Sequence, residues 1–219
     1  MDDYFESNFA QLKQKFPSIR KIDIASKELL YRQGEPCTHV FWINSGIVKL
    51  SYLTMQGTEM TIALLKKGEV LGYLSNNVEY QVIEETAQAI GNVGCYRIAY
   101  NDFKAMLLQH VQLMWFVFEQ TYARKQKIER KLRTILTQPV EMRLAATLLD
   151  LAEMFGIQCT HGYALEIHLT QQDVADLIGA SRPVISTLLN DFRNRGILDY
   201  TRDQICINDA ALVDFYQAK

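Results

Sequence analysis

The sequence predicts an α+β chain in three parts: an amino-terminal antiparallel β-roll of jelly-roll type, a long uninterrupted helix, and a carboxyl-terminal winged helix-turn-helix. Three observations predict it. Short apolar runs broken by glycine and asparagine punctuate residues 22–100; no glycine or proline interrupts residues 101–137; and small, turn-forming and apolar residues stand at helix-turn-helix offsets between Leu169 and Leu198. The expected divisions are 1–110 for an effector-type sensor domain, 111–138 for a dimerisation helix and 139–219 for a DNA-binding domain.

The roll rests on alternating strands. Val40–Ile43 and Ile47–Leu53 flank Asn44-Ser45-Gly46, which reads as a hairpin turn because Asn and Gly accept positive φ. Further turns are expected at Gln56-Gly57, Lys67-Gly68-Glu69 and Gly91-Asn92, with strands over Thr61–Leu65 and Gln88–Ile90. A short helix near Phe5–Phe16 precedes them, and Asn101 reads as the cap of another that follows.

The long helix places Met114, Phe118, Thr121, Lys125, Ile128, Leu132 and Ile135 at alternating spacings of four and three, the seam of a two-stranded coiled coil with a polar interruption. Trp115, Val117 and Tyr122 supply a second apolar face, expected to pack on the roll. Pro139 ends this helix and Gly156 closes the next.

The helix-turn-helix follows from local chemistry. Ala175 is small enough for a helix crossing, Gly179 can take positive φ, and Val174, Ile178, Ile185 and Leu188 face inward. Thr170 and Ser181 are expected caps, and Pro183 sits in a first turn where its missing N–H is harmless. Arg182, Pro183, Ser186 and Thr187 then face the groove, Asn190, Arg193 and the wing residue Arg202 are set to contact the DNA backbone, and the caps Thr170 and Ser181 are counted with them among the DNA-binding residues. A net charge of −2 is compatible with this because Arg182, Arg193, Arg195 and Arg202 gather where the DNA-reading element lies.

Other classes are disfavoured. The apolar runs Met114–Phe118 and Leu144–Leu149 fall far short of the ~20 residues that span a bilayer, and Asp2, Asp3 and Glu6 replace a basic leader, so a cytoplasmic protein with no membrane partner is expected. Cys37, Cys95, Cys159 and Cys206 lie far apart and read as reduced thiols, with no metal site. His39, His110, His161 and His168 stand apart from any nucleophile, so no enzyme is indicated.

Over nearly its whole length the chain resembles the Crp/Fnr superfamily of bacterial transcription regulators. The likeness lies in Gly34, Val40–Ile43 with Asn44-Ser45-Gly46 and Ile47–Leu50, Gly57, Gly68-Glu69-Val70-Leu71-Gly72, the long helix and the helix-turn-helix. It implies a homodimer on double-stranded DNA in which an effector between roll and dimer helix moves the reading heads. RNA polymerase and a small protein co-regulator are further expected partners. Glu84 and Glu85 stand where that superfamily's cyclic-AMP cassette has an arginine for phosphate, which speaks against cyclic AMP. A nearer resemblance is to NtcA-type nitrogen regulators, which respond to 2-oxoglutarate. Leu71, Gly72, Tyr73, Leu74 and Ser75 resemble their effector loop, Phe155–Cys159 their segment after the hinge, and Arg182, Val184 and Thr187 their recognition helix. Arg124 and Glu129 match an Arg and a Glu that those regulators bring to the ligand, and Lys125 adds positive potential. An arginine of their roll is replaced here by acid near Glu84. The resemblance therefore implies 2-oxoglutarate or another small organic anion as effector, and the alternative is a regulator that is constitutively active or gated by a protein.

Overall fold

The computed structural model describes residues 4–72, 82–160, 162–200 and 205–217. The chain packs as two compact units, residues 1–128 and 129–219.

The first unit runs α1 (Tyr4–Lys15), β1 (Arg20–Ile24), β2 (Leu29–Tyr31), β3 (His39–Leu53), β4 (Glu59–Leu65), β5 (Val70–Gly72), β6 (Thr86–Ala99) and α2 (Tyr100–Gln109), and ends within α3 (Val111–Thr137). The strands pair antiparallel in the order β1-β6-β3-β4, with β2 on β6 and β5 on β3. The antiparallel roll is therefore present, but Asn44-Ser45-Gly46 is not a hairpin turn. It lies inside the single strand β3, which pairs with β6 from His39↔Ala99 to Ser51↔Thr86 and shifts register around Ser45. Gly46 takes φ 82°, and a Cβ there would lie 2.3 Å from the Asn92 carbonyl oxygen; Gly91 on the facing strand takes φ 68°. Bulges use the same residue types as turns, and this one bends a ribbon instead of ending a strand.

The same strands serve two cores. Val40, Trp42, Val70, Tyr96 and Ile98 meet Phe5, Leu12 and Phe16 of α1, Phe103 and Met106 of α2, and Leu113 and Val117 of α3. Phe41, Ile43, Val48, Leu50, Leu65 and Leu71 close the interior of the roll with Tyr31, Ile83 and Ala87. Side chains alternate across a strand, so Val40 and Trp42 face one core and Phe41 and Ile43 the other. Strand β6 runs straight into α2, so the cap is Ala99 and not Asn101, which lies inside the first turn. Ser18 secures that junction: its hydroxyl accepts from the Ala99 N–H at 3.1 Å, and its own N–H donates to Asp102 at 3.2 Å.

On α3 the strip packed against the roll is Leu113, Phe116 and Val117, with Phe116 stacked on Trp42 at 5.6 Å. Trp115 and Tyr122 do not share that task; both are exposed.

Beyond α3 come α4 (Val140–Phe155), β7 (Gly156–Cys159), β8 (Gly162–Leu165), α5 (Gln171–Ile178), α6 (Arg182–Asn194), β9 (Leu198–Tyr200), β10 (Ile205–Ile207) and α7 (Asp209–Gln217). Pro139 caps α4 and Gly156 ends it. The strands form an antiparallel sheet in the order β7-β8-β10-β9. The wing is thus the edge of a four-stranded sheet, and the β7–β8 hairpin and α7 are additions to the sequence reading.

Candidate nucleic-acid interface and effector site

Helix α5 begins with a complete capping box. The Thr170 hydroxyl accepts from the Asp173 N–H at 3.1 Å, and the Asp173 carboxylate accepts from the Thr170 N–H at 2.9 Å. Val174, Ala175 and Ile178 are buried, and Gly179 ends the helix in the left-handed region at φ 65°. Ser181 has the extended backbone of a cap, but its side chain makes no capping hydrogen bond. In α6 the fully buried residues are Ile185, Leu189 and Phe192, whereas Leu188, expected inside, is only half-buried.

That rotation leaves Arg182, Pro183, Val184 and Thr187 exposed on the first two turns, with Ser186 half-buried beside them. Arg182 makes no ion pair or side-chain hydrogen bond among the described residues. The Thr187 hydroxyl donates to the Pro183 carbonyl at 3.1 Å, which leaves its methyl and oxygen lone pairs outward.

The expected backbone contacts are engaged elsewhere. The Tyr200 hydroxyl donates to Asn190 at 2.9 Å, and Arg193 pairs with Asp199 at 2.9 Å with its guanidinium over the Tyr200 ring. Arg195 pairs with Glu141 at 3.1 Å and Asp191 at 3.2 Å. Asn190 and Arg193 therefore tie β9 to α6, and much of the positive charge gathered here is already matched. Arg202 and the wing tip lie outside the described residues.

Leu71 is buried, and Gly72 is pressed so close to β3 that a Cβ would lie 2.5 Å from the His39 carbonyl oxygen. Tyr73, Leu74 and Ser75 lie outside the described residues. Arg124 turns into the roll: its side chain is 18 % exposed, its guanidinium donates to the Val70 carbonyl, and its Nε lies 3.7 Å from a Glu69 carboxylate oxygen. That Nε is buried without a hydrogen bond among the described residues. Glu69, which the sequence reading missed, also accepts from the Lys66 N–H at 2.9 Å. Its signal was an acid following the turn glycine Gly68, immediately before the apolar strand β5. Lys125 and Glu129 are exposed on α3.

The two acids that argued against phosphate differ. Glu84 is exposed, whereas Glu85 accepts from the Tyr31 hydroxyl at 3.0 Å. Burial, reinforced by that carboxylate, pushes the Tyr31 phenol far above its ordinary value and keeps it a donor.

Along α3, Phe118 is 56 % and Leu132 55 % exposed, and Met114 and Ile128 are exposed with them. Thr121 and Lys125 are exposed between them and Ile135 is half-buried. Trp115, Phe118 and Tyr122 form a chain of rings 5.5 and 6.2 Å apart, and Leu136 is 74 % exposed, so the outward apolar strip is broader than the expected seam. Trp115, Tyr122 and Leu136 share the three-and-four spacing through Phe118 and Leu132, a signal that could have found them.

Residues 21–110 match the family model described as cyclic nucleotide-binding domain, and residues 142–213 match the Crp-like helix-turn-helix domain. The anaerobic regulatory protein of Bacillus subtilis is 24% identical over 196 residues, covering 90% of this chain and 82% of that protein. A global nitrogen regulator of Nostoc sp. is 26% identical over 196 residues, covering 88% of this chain and 86% of that protein. The solved structure of a CooA mutant from Carboxydothermus hydrogenoformans has the same fold, with a TM-score of 0.78 at 21% identity over 94% of this chain and 90% of that one. These relatives are regulators and not enzymes. No helix among the described residues is long and apolar enough to cross a membrane.

Proposed function

Because the chain belongs to the Crp/Fnr family of DNA-binding transcription regulators, we propose that it acts as a homodimer reading a palindromic operator through the first turns of α6. The observation that carries this reading is Arg182, exposed at the start of α6 without an internal partner among the described residues, while Arg193 near the end of the helix and Arg195 just past it are paired. Its guanidinium can hold O6 and N7 of a guanine together, and Val184 and the Thr187 methyl can meet a thymine methyl. Pro183 offers no acceptor for a cytosine amino group, so the half-site resembles GTA. A dimer joined along the exposed strip of α3 sets two such half-sites about one helical turn apart. Random-site selection with the full-length protein tests this. A symmetric motif whose guanine preference disappears in Arg182→Ala is the expected result, and an asymmetric motif or one indifferent to Arg182 overturns it.

The gate we assign to this regulator is a small organic anion, with 2-oxoglutarate the first candidate, taken up by Arg124. Its support is the match to a ligand-binding domain, the nitrogen regulators among the relatives, and a guanidinium turned into the roll with one N–H unsatisfied. The anion would replace Glu69 at Arg124 and form a charge-assisted pair shielded from water. Calorimetry with 2-oxoglutarate should give a binding signal that Arg124→Ala removes, together with a shift in operator affinity. One observation favours a second reading: Glu69 and the Val70 carbonyl already give Arg124 what a ligand would. A wild type that binds its operator equally with and without each acid supports that constitutive or partner-gated regulator.

A further inference from the structure

Arg143, in the first turn of α4, joins three segments of the carboxyl-terminal unit. Its Nε donates to the Gln138 carbonyl at 3.0 Å, and its Nη1 lies 3.2 Å from the Ile178 carbonyl oxygen and 3.4 Å from that of Gly179. Gln138 immediately follows α3, Ile178 is the last residue of α5, and Gly179 begins the turn into α6. Helix ends leave carbonyls without partners and carry partial negative charge. A guanidinium suits both ends at once, since its planar fork donates in several fixed directions, whereas an ammonium is a point charge.

The geometry points to Arg143 as a positioning residue for DNA reading: it pins the turn before α6 to the segment leaving α3, so the angle of α6 follows the joint at Gln138 and Pro139. This inference rests on α6 being the reading helix. The fold of the unit does not depend on the pin, because Leu144, Ala145 and Leu148 of α4 and Val174, Ala175 and Ile178 of α5 are buried whatever Arg143 does. Its loss should therefore be felt where orientation matters. Bidentate base contacts demand a fixed helix angle, while phosphate contacts tolerate a range of them.

The test uses full-length wild type, Arg143→Gln and Arg143→Lys, with melting temperature and anisotropy titrations against the selected operator and a non-operator duplex. Arg143→Gln should lose roughly tenfold or more in operator affinity while non-operator binding stays within about twofold. Arg143→Lys, which keeps the charge and the stem, should not restore the operator affinity. Equal loss on both duplexes, no loss on the operator, or full rescue by lysine each overturns the inference. If Arg143→Gln does not fold, Arg143→Lys alone decides, because the proposal requires it to bind the operator poorly. A wild type that selects no operator refutes the reading of α6 instead, so the two failures are distinct.

Discussion

The start of α6 and the middle of α3 each present an arginine that the sequence marks as functional, and the protein treats the two oppositely. Arg182 stands in solvent without an internal partner among the described residues, while Arg124 is drawn into the roll against the Glu69 carboxylate and the Val70 carbonyl. A bare guanidinium pays no exchange penalty when it meets a guanine. A paired one must give up its carboxylate first, so only a competing anion with its own charge can recruit it. Constant availability suits the reading of DNA, and conditional availability suits a gate.

The contrast requires the two regions to fail differently. The largest effect is expected from Leu132→Asp, which puts a carboxylate into the exposed apolar strip of α3. Sedimentation should then report a monomer, with operator affinity down by roughly a hundredfold or more as bivalent binding is lost; an intact dimer sinks the seam. Next is Arg182→Ala, at about 1–3 kcal/mol of operator affinity with the guanine preference flattened. Arg193→Ala serves as its control, since Arg193 is already paired with Asp199, and anisotropy should show the smaller loss there. Replacing Arg124 by alanine should leave ligand-free operator binding within about twofold of wild type and remove the response to acid, so a large ligand-free loss would make Arg124 a structural strut instead.

The smallest effect concerns Lys131, farther along α3, whose ammonium burial lowers from 10.5 to about 8. Between those values the unfolded chain holds a proton that the native state has released. The contribution of Lys131 to stability therefore rises with pH across that window and is flat below it. In urea midpoints measured from pH 8 to pH 10, wild type should gain stability relative to Lys131→Met as pH rises, and parallel curves for the two refute the buried ammonium.

What could be read from the sequence was what local chemistry decides. The Thr170 capping box, Ala175 and Gly179 lie within ten residues of one another, and each does in the structure what its type predicts. Long-range pairing was less legible. The Arg193–Asp199 pair spans the corner from helix to strand, and Arg124 meets a carbonyl 54 residues away, so neither follows from spacing. Adjacent leucines exchanged roles, Leu189 entering the core ahead of Leu188, because a small rotation of α6 decides between neighbours at the edge of an apolar face. Trp115 and Tyr122 were assigned to the wrong face for the same reason. On a helix with apolar residues on several sides, periodicity gives the faces but not which of them meets the roll.

The kink at Gly46 and Gly91 bears on how the chain folds. Strands β3 and β6 can meet only after a long intervening loop has closed, which makes their pairing the slow kind of event. A ribbon that zipped one residue out of step would turn every side chain to the opposite face. It would also move the tight approach of Gly46 to Asn92 onto a neighbour that carries a Cβ, and a Cβ does not fit there. The glycine kink thus works as a registration mark, rejecting slipped ribbons on steric grounds before either core has closed. Since chains emerge amino end first, the ribosome delivers this hardest search before the quickly folding helix-turn-helix has been made.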